Sequence, residues 1–124
     1  MKIEISPEYQ YMTKELFDIP RMFNEGQGEI VYSGRNLVCR FTIQGMPVIA
    51  KRFKRVNFFQ QIAYTFFRST KAERAFRYAK IFRERGIETP HEIAFIETKE
   101  HGLFTTGYFV CTPCFPLPGS KGEL

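Results

Sequence analysis

The chain of 124 residues contains no tryptophan and a single aspartate, Asp18. Beyond residue 18 there is thus no aspartate to act as metal ligand or base. Cysteine is scarce: Cys39, Cys111 and Cys114 make an odd number, which argues against a disulfide scaffold and for a reducing compartment. Cys111 and Cys114 form one CxxC, but no second pair and no histidine at ligand spacing completes a zinc site. No helical pattern follows it, as a redox motif would require. His91 and His101 stand apart from any Ser or Cys with an acid and read as loop residues. No segment approaches the ~18 apolar residues of a spanning helix, and the opening Met-Lys-Ile-Glu-Ile-Ser lacks a signal peptide's apolar run. Together these absences predict a cytoplasmic location. No internal repeat is visible.

What is present is apolar and aromatic. A hydrophobic share of 44% with 16% aromatics predicts a packed globular unit, and the length suits one domain with a modest core. The formal charge is +5, but it is not spread evenly. Residues 51–85 hold eleven Lys or Arg against Glu73 and Glu84, a local +9 that leaves −4 for the rest. Such a block favours anionic partners: nucleotide phosphate, nucleic acid or lipid headgroups.

The pattern along the chain predicts strands and helices in a definite order. Residues 1–28 read as a preamble, with a short strand at Lys2–Ser6 and a helix around Pro7–Phe17 that Asp18-Ile19-Pro20 ends. Strand-like runs follow at Glu29–Ser33, Leu37–Ile43 and Met46–Phe53, joined by Gly34-Arg35-Asn36 and Gln44-Gly45. Turns this short imply antiparallel neighbours. Asn57–Arg68 reads as a helix with phenylalanines at three- and four-residue spacing. A second helix, Lys71–Arg85, has Thr70 as N-cap, Glu73 at the capping-box position and Gly86 at its end. Two more strands, Glu92–Thr98 and Leu103–Cys111, close the domain at residues 1–111, and 112–124 form an irregular Pro/Gly-rich tail. The expected fold is α+β: a five-stranded antiparallel sheet with a helical insertion after strand three.

Within this frame the run Val48-Ile49-Ala50-Lys51 stands out. A lysine in an apolar strand is costly to bury unless it meets an anion. Lys51 is therefore a candidate phosphate-binding residue, similar in position to the third-strand lysine of protein kinases, with Ala50 leaving room for a flat ring beside the strand. The alternative is a lysine turned to solvent beside Arg52. The turn Gly34-Arg35-Asn36 sits where kinases cover the phosphates with a Gly-rich loop, although a plain hairpin fits the spacing equally well. Glu73 is the candidate partner for Lys51, against a local pair with Arg77 or a capping role.

Taken together, Phe23–Gly28, Ile30–Asn36, Val48–Phe53, Ser69–Ala75 and Arg85–Ala94 resemble the amino-terminal lobe of the lipopolysaccharide-kinase-like proteins, the Kdo/WaaP family, from about residue 1 to Cys111. The resemblance implies a protein-kinase-like N-lobe that uses ATP with Mg2+ to phosphorylate an inner-core sugar at the cytoplasmic membrane face. It further implies that Lys51 meets the ATP phosphates under a loop of Gly34, Arg35 and Asn36, and that Phe109, Val110 and Cys111 lead into the hinge beside adenine. The chain departs from the family in lacking the aspartates that follow the lysine, and its tail reads as a truncated end. The expectation is an ATP-phosphate lobe that is inactive alone, with a second-lobe chain or a homodimer meeting the exposed sheet face. The competing expectation is a small basic module for an anionic membrane or an acidic protein partner. Nucleic acid is the less favoured partner, because no nucleic-acid fold signature accompanies the basic block.

Overall fold

Alternation of apolar and polar residues places the strands, and the sheet they build is antiparallel throughout. The computed structural model describes residues 1–113. Among these, the strands are β1 (Lys2–Ile5), β2 (Glu29–Ser33), β3 (Leu37–Ile43), β4 (Met46–Arg52), β5 (Glu92–Glu100) and β6 (Leu103–Cys111). They form one six-stranded open sheet in the order β1-β5-β6-β4-β3-β2. The fold is thus α+β, with six strands rather than the expected five. The extra one is the preamble strand, which pairs with β5 from Lys2 opposite Glu97 to Ile5 opposite Ala94. A four-residue segment has too little alternation to reveal a partner some ninety residues away, so its membership was not legible. Residues 112 and 113 continue past β6, and the rest of the expected tail lies outside the described residues.

Two hairpins are closed by residues in the left-handed region. Gln44-Gly45 (φ 52° and 80°) joins β3 to β4, and His101-Gly102 (φ 55° and 79°) joins β5 to β6. Positive φ at both central residues matches the right-handed strand twist, which is why glycine follows in each case.

The helices cover both faces of the sheet. The preamble forms a 3-10 turn (Pro7–Met12) and two short helices, α1 (Thr13–Phe17) and α2 (Ile19–Asn24). The helix before Asp18-Ile19-Pro20 stops at Phe17 as expected, with Asp18 as its C-cap; the unexpected element is α2, where Pro20 sits in the first turn and its missing N–H is no loss. Met12, Leu16, Ile19 and Phe23 recur at four, three and four residues, and all are buried against Cys39, Phe41, Val48, Ala50, Ile96 and Val110. This face holds the main core.

The longer helices are α3 (Phe58–Phe66) and α4 (Lys71–Glu84). The α4 helix packs on the other face, where Phe76 meets Phe95 edge-on at 5.3 Å between ring centres. Ala72, Phe53 and Phe109 complete that smaller cluster. The approach is close at one point. A Cβ on Gly107 of β6 would lie 3.0 Å from the Ala72 Cβ, so glycine there lets the first turn of α4 sit down on the strand.

Two polar devices fix α4 in place. Buried Thr70 accepts a hydrogen bond from the Glu73 N–H (3.1 Å) and donates its hydroxyl to the buried Glu97 carboxylate (2.8 Å). Further along, Arg77 donates to both Glu4 oxygens at 2.6 and 2.7 Å, tying the helix to β1. Arg83 does the same for Glu92, which is almost fully buried, at 3.1 and 2.9 Å.

Thr70→Ala removes the cap, at about 1 kcal/mol, and strips a partner from a buried carboxylate, at about 1–3 kcal/mol. Urea unfolding is expected to show a loss of roughly 2–3 kcal/mol, with Thr70→Ser retaining most of the stability. The hydrogen bonds from Arg77 hold the Glu4 carboxyl below its ordinary value of 4.5. A depressed carboxyl stabilises the fold above the unfolded value and stops doing so as pH falls through the folded one. Glu4→Gln is therefore expected to lower the urea midpoint at pH 7, and the gap to wild type should close below pH 4.5.

Candidate functional site

The strand period decides what surrounds Lys51. Its cross-strand partners are Val38 on β3 and Phe109 on β6, and the row continues to Phe95 on β5 and Glu4 on β1. All lie on the sheet face that α4 covers. Lys51 is half-buried, and its Nζ sits 5.0 Å from the centre of the Phe53 ring. Among the described residues no carboxylate comes within ion-pair distance of it. A cation over an aromatic face with no counter-ion is partly desolvated and incompletely satisfied.

The turn Gly34-Arg35-Asn36 lies beside the end of the lysine strand, because Leu37 pairs with Arg52 and Val38 with Lys51. It is internally closed by the Gly34 N–H donating to the Asn36 carbonyl (3.1 Å). It is also latched sideways: the Asn36 side-chain oxygen accepts from the Lys54 N–H at 3.0 Å. The turn is thus the tip of the β2–β3 hairpin, latched to the residues just past the strand that bears Lys51.

A cavity of about 310 Å³ opens next to this turn, with Arg35, Asn36, Phe53, Lys54 and Lys71 in its lining. A second, of about 580 Å³, shares Arg35, Asn36 and Lys54 and reaches Arg52 and Tyr108 on the opposite sheet face. Lys51 lines neither of these two. Arg55 is held by both Glu100 oxygens at 3.0 Å. Arg35, Lys54 and Lys71 have no carboxylate partner among the described residues. The turn and its surroundings therefore offer the cations Arg35, Lys54 and Lys71 to an anion, and the Glu100 carboxylate in the second cavity is held by Arg55.

The remaining candidates separate from Lys51. Ala50 points to the opposite face, fully buried beneath the amino-terminal helices, and so leaves no space for a flat ring on the lysine side. Val110 lies directly opposite Ala50 in the same core. Cys111 pairs with Ile49 and Glu92, so Phe109, Val110 and Cys111 are the last three residues of β6. Glu73 does not meet Lys51. Its carboxylate lies 3.4 Å from Arg77 and 3.9 Å from Lys2. The local pair with Arg77 is what the structure displays; of the capping box, Thr70 supplies its half by accepting from the Glu73 N–H, while the Glu73 carboxylate is taken by Arg77 and Lys2.

Sequence reading missed Ile49 and Phe53, which share the Lys51 face. The signal was available: residues two before and two after a strand lysine must lie beside it. His91, read as a loop residue, packs edge-on against Tyr9 at 5.1 Å and lies 3.7 Å from Glu8. Among the described residues no group of three or more His, Cys, Asp or Glu is placed to hold a metal ion. Neither a protein-family model, nor a curated protein, nor a solved structure matches the chain.

If Asn36 is the latch, Asn36→Ala frees the turn at a cost of about 1 kcal/mol. Amide exchange at Lys54 is expected to quicken at least tenfold while amides in β5 and β6 keep their protection. Unchanged Lys54 exchange would show that the latch does not hold the turn.

Proposed function

We propose that this chain is a protein-kinase-like amino-terminal lobe that binds the phosphates of a nucleotide such as ATP through Lys51, in the manner of the lipopolysaccharide-kinase-like proteins its sequence resembles. One observation carries the reading. Lys51 is a half-buried strand lysine beside an anchored turn, with an aromatic ring as its neighbour and no counter-ion among the described residues. A phosphate is the chemistry that would satisfy it.

The order of parts supports this. A hairpin with a basic turn precedes the lysine strand, a helix covering the lysine face follows, and the last strand pairs with the lysine strand on its other side. Protein kinases place their phosphate lysine on the third strand after a loop-bearing hairpin and pair it with a glutamate of the next helix. Here Glu73 is occupied by Arg77 and Lys2, which leaves Lys51 to the anion itself. Arg35 and Lys54 would add charge from the turn. ATP fits this arrangement at its phosphate end. On the base side the fit is poorer, since Ala50 and Val110 are sealed in the core. Phosphate binding is the activity proposed for these residues, and phosphoryl transfer to a sugar acceptor belongs to the proposal only through the resemblance.

Calorimetry with MgATP and with inorganic triphosphate tests it. Wild type is expected to bind both, and Lys51→Ala to weaken both at least tenfold, which is about 1.4 kcal/mol. Arg35→Ala should cost less, about threefold, as an exposed cation does. Equal affinity in wild type and Lys51→Ala would remove Lys51 from any phosphate site.

A further inference from the structure

The α3 helix is seated the wrong way round for a soluble protein. Its contacts with the sheet are made by its polar side: the Thr65 hydroxyl accepts from the Phe104 N–H at 2.8 Å, Gln61 donates to the Val56 carbonyl at 3.1 Å, and Tyr64 packs edge-on against Phe104. Gln61, Tyr64 and Thr65 fall on one side at about 100° per residue. The opposite side carries Phe59, Ile62, Ala63 and Phe66. None of the helix residues is fully buried. Phe59 and Phe67 are each 80% exposed, and Phe58 and Phe66 are also turned to solvent. An amphipathic helix normally buries its apolar stripe; here Ile62 and Ala63 are only partly covered and the phenylalanines at both ends are held outward.

The charge around this surface is mainly positive. Lys54, Arg68 and Lys71 flank α3 and are exposed, and the outward side of α4 adds Lys80 and Arg85, with Glu84 between, beside exposed Tyr78, Ile81 and Phe82. Arg68 lies over the Tyr64 ring at 5.9 Å, within the same surface. Aromatic side chains facing outward, ringed by Lys and Arg, form the pattern of a helix that lies in a lipid interface and draws on anionic headgroups. A helix-binding groove on an acidic protein would ask for the phenylalanines in a single narrow stripe. Here Phe58, Phe59, Phe66 and Phe67 spread over a broad sector at both ends of the helix, as contact with a planar surface demands. No helix among the described residues is long and apolar enough to cross a membrane, so the contact is with its surface.

We propose that α3 docks this protein on an anionic lipid bilayer, with Phe58, Phe59, Phe66 and Phe67 entering the headgroup boundary and the surrounding basic residues facing lipid phosphates. The proposal is independent of nucleotide binding and stands or falls without Lys51.

The test is co-sedimentation with vesicles of phosphatidylcholine alone or with phosphatidylserine added. Wild type is expected to bind the anionic vesicles, less so as salt rises. Phe59→Ser with Phe67→Ser should lower that affinity at least about tenfold, and Arg68→Gln with Lys71→Gln by a similar factor. These side chains are exposed, so unfolding curves should stay unchanged. The natural chain has no tryptophan, so Phe59→Trp supplies a lone reporter. Its emission should shift to the blue with anionic vesicles. Absence of binding to anionic vesicles, or binding indifferent to the paired Phe substitution, overturns the proposal. A wild-type dimer that the same substitution dissociates, with no vesicle binding, would overturn it too and give the surface to a second copy of the chain.

Discussion

The contact on which the rest of the molecule depends is the seating of the first turn of α4 on the sheet. Three features make it: the space left by Gly107 for Ala72, the cap and carboxylate bond of Thr70, and the ring contact of Phe76 with Phe95. A buried carboxylate is unfavourable alone. Glu97 is stabilised here by a hydroxyl and by the positive end of a helix, so the same group that would weaken the sheet instead fixes the helix. Once α4 starts at this point it packs along β5 and β6, and Arg83 and Arg77 reach Glu92 and Glu4. The helix also covers the sheet face that Lys51 shares.

Much of this was legible in the sequence, and the reasons are local. Leu37–Ile43 alternates cleanly, Gln44-Gly45 is a two-residue turn, and Thr70 with Gly86 brackets α4; each is a short-range signal and each appears where the pattern puts it. The failures are of two kinds. Strand β1 and the Glu4–Arg77 pair depend on residues distant in sequence, which periodicity does not see. The second is α2: the helix before it stops at Phe17, where Asp18-Ile19-Pro20 puts its end, but proline also opens helices, and the buried series Met12, Leu16, Ile19, Phe23 pointed to the one that follows. The candidate site was half legible. Lys51, the turn and their neighbourhood follow from order along the chain. Ala50 does not, because adjacent strand residues face opposite ways. Glu73 had three partners open to it, and the choice between them depends on where Lys2 and Arg77 lie in space.

The proposed phosphate site and the outward face of α3 draw on the same +9 stretch, yet in different ways. Near Lys51 the positive charge is partly shielded from water and close to fixed backbone groups, which favours a compact, highly charged ligand. Around α3 it is solvated and dispersed among aromatic rings, which suits an extended surface that meets many weak contacts at once. Charge density alone would have merged the two. What separates them is burial, set by which residues α4 covers.

The pairing of β1 with β5 also governs the order in which the molecule can be completed. Residues 2–5 are made well before their partners at residues 94–97. Until then β1 has no strand to join, and the apolar series of α1 and α2 has only β3 and β4 to rest on. Synthesis therefore holds the two ends of the domain apart for most of its length. A closure this non-local is slow and exposes apolar surface while it waits, so the nascent chain has most need of protection before β5 emerges.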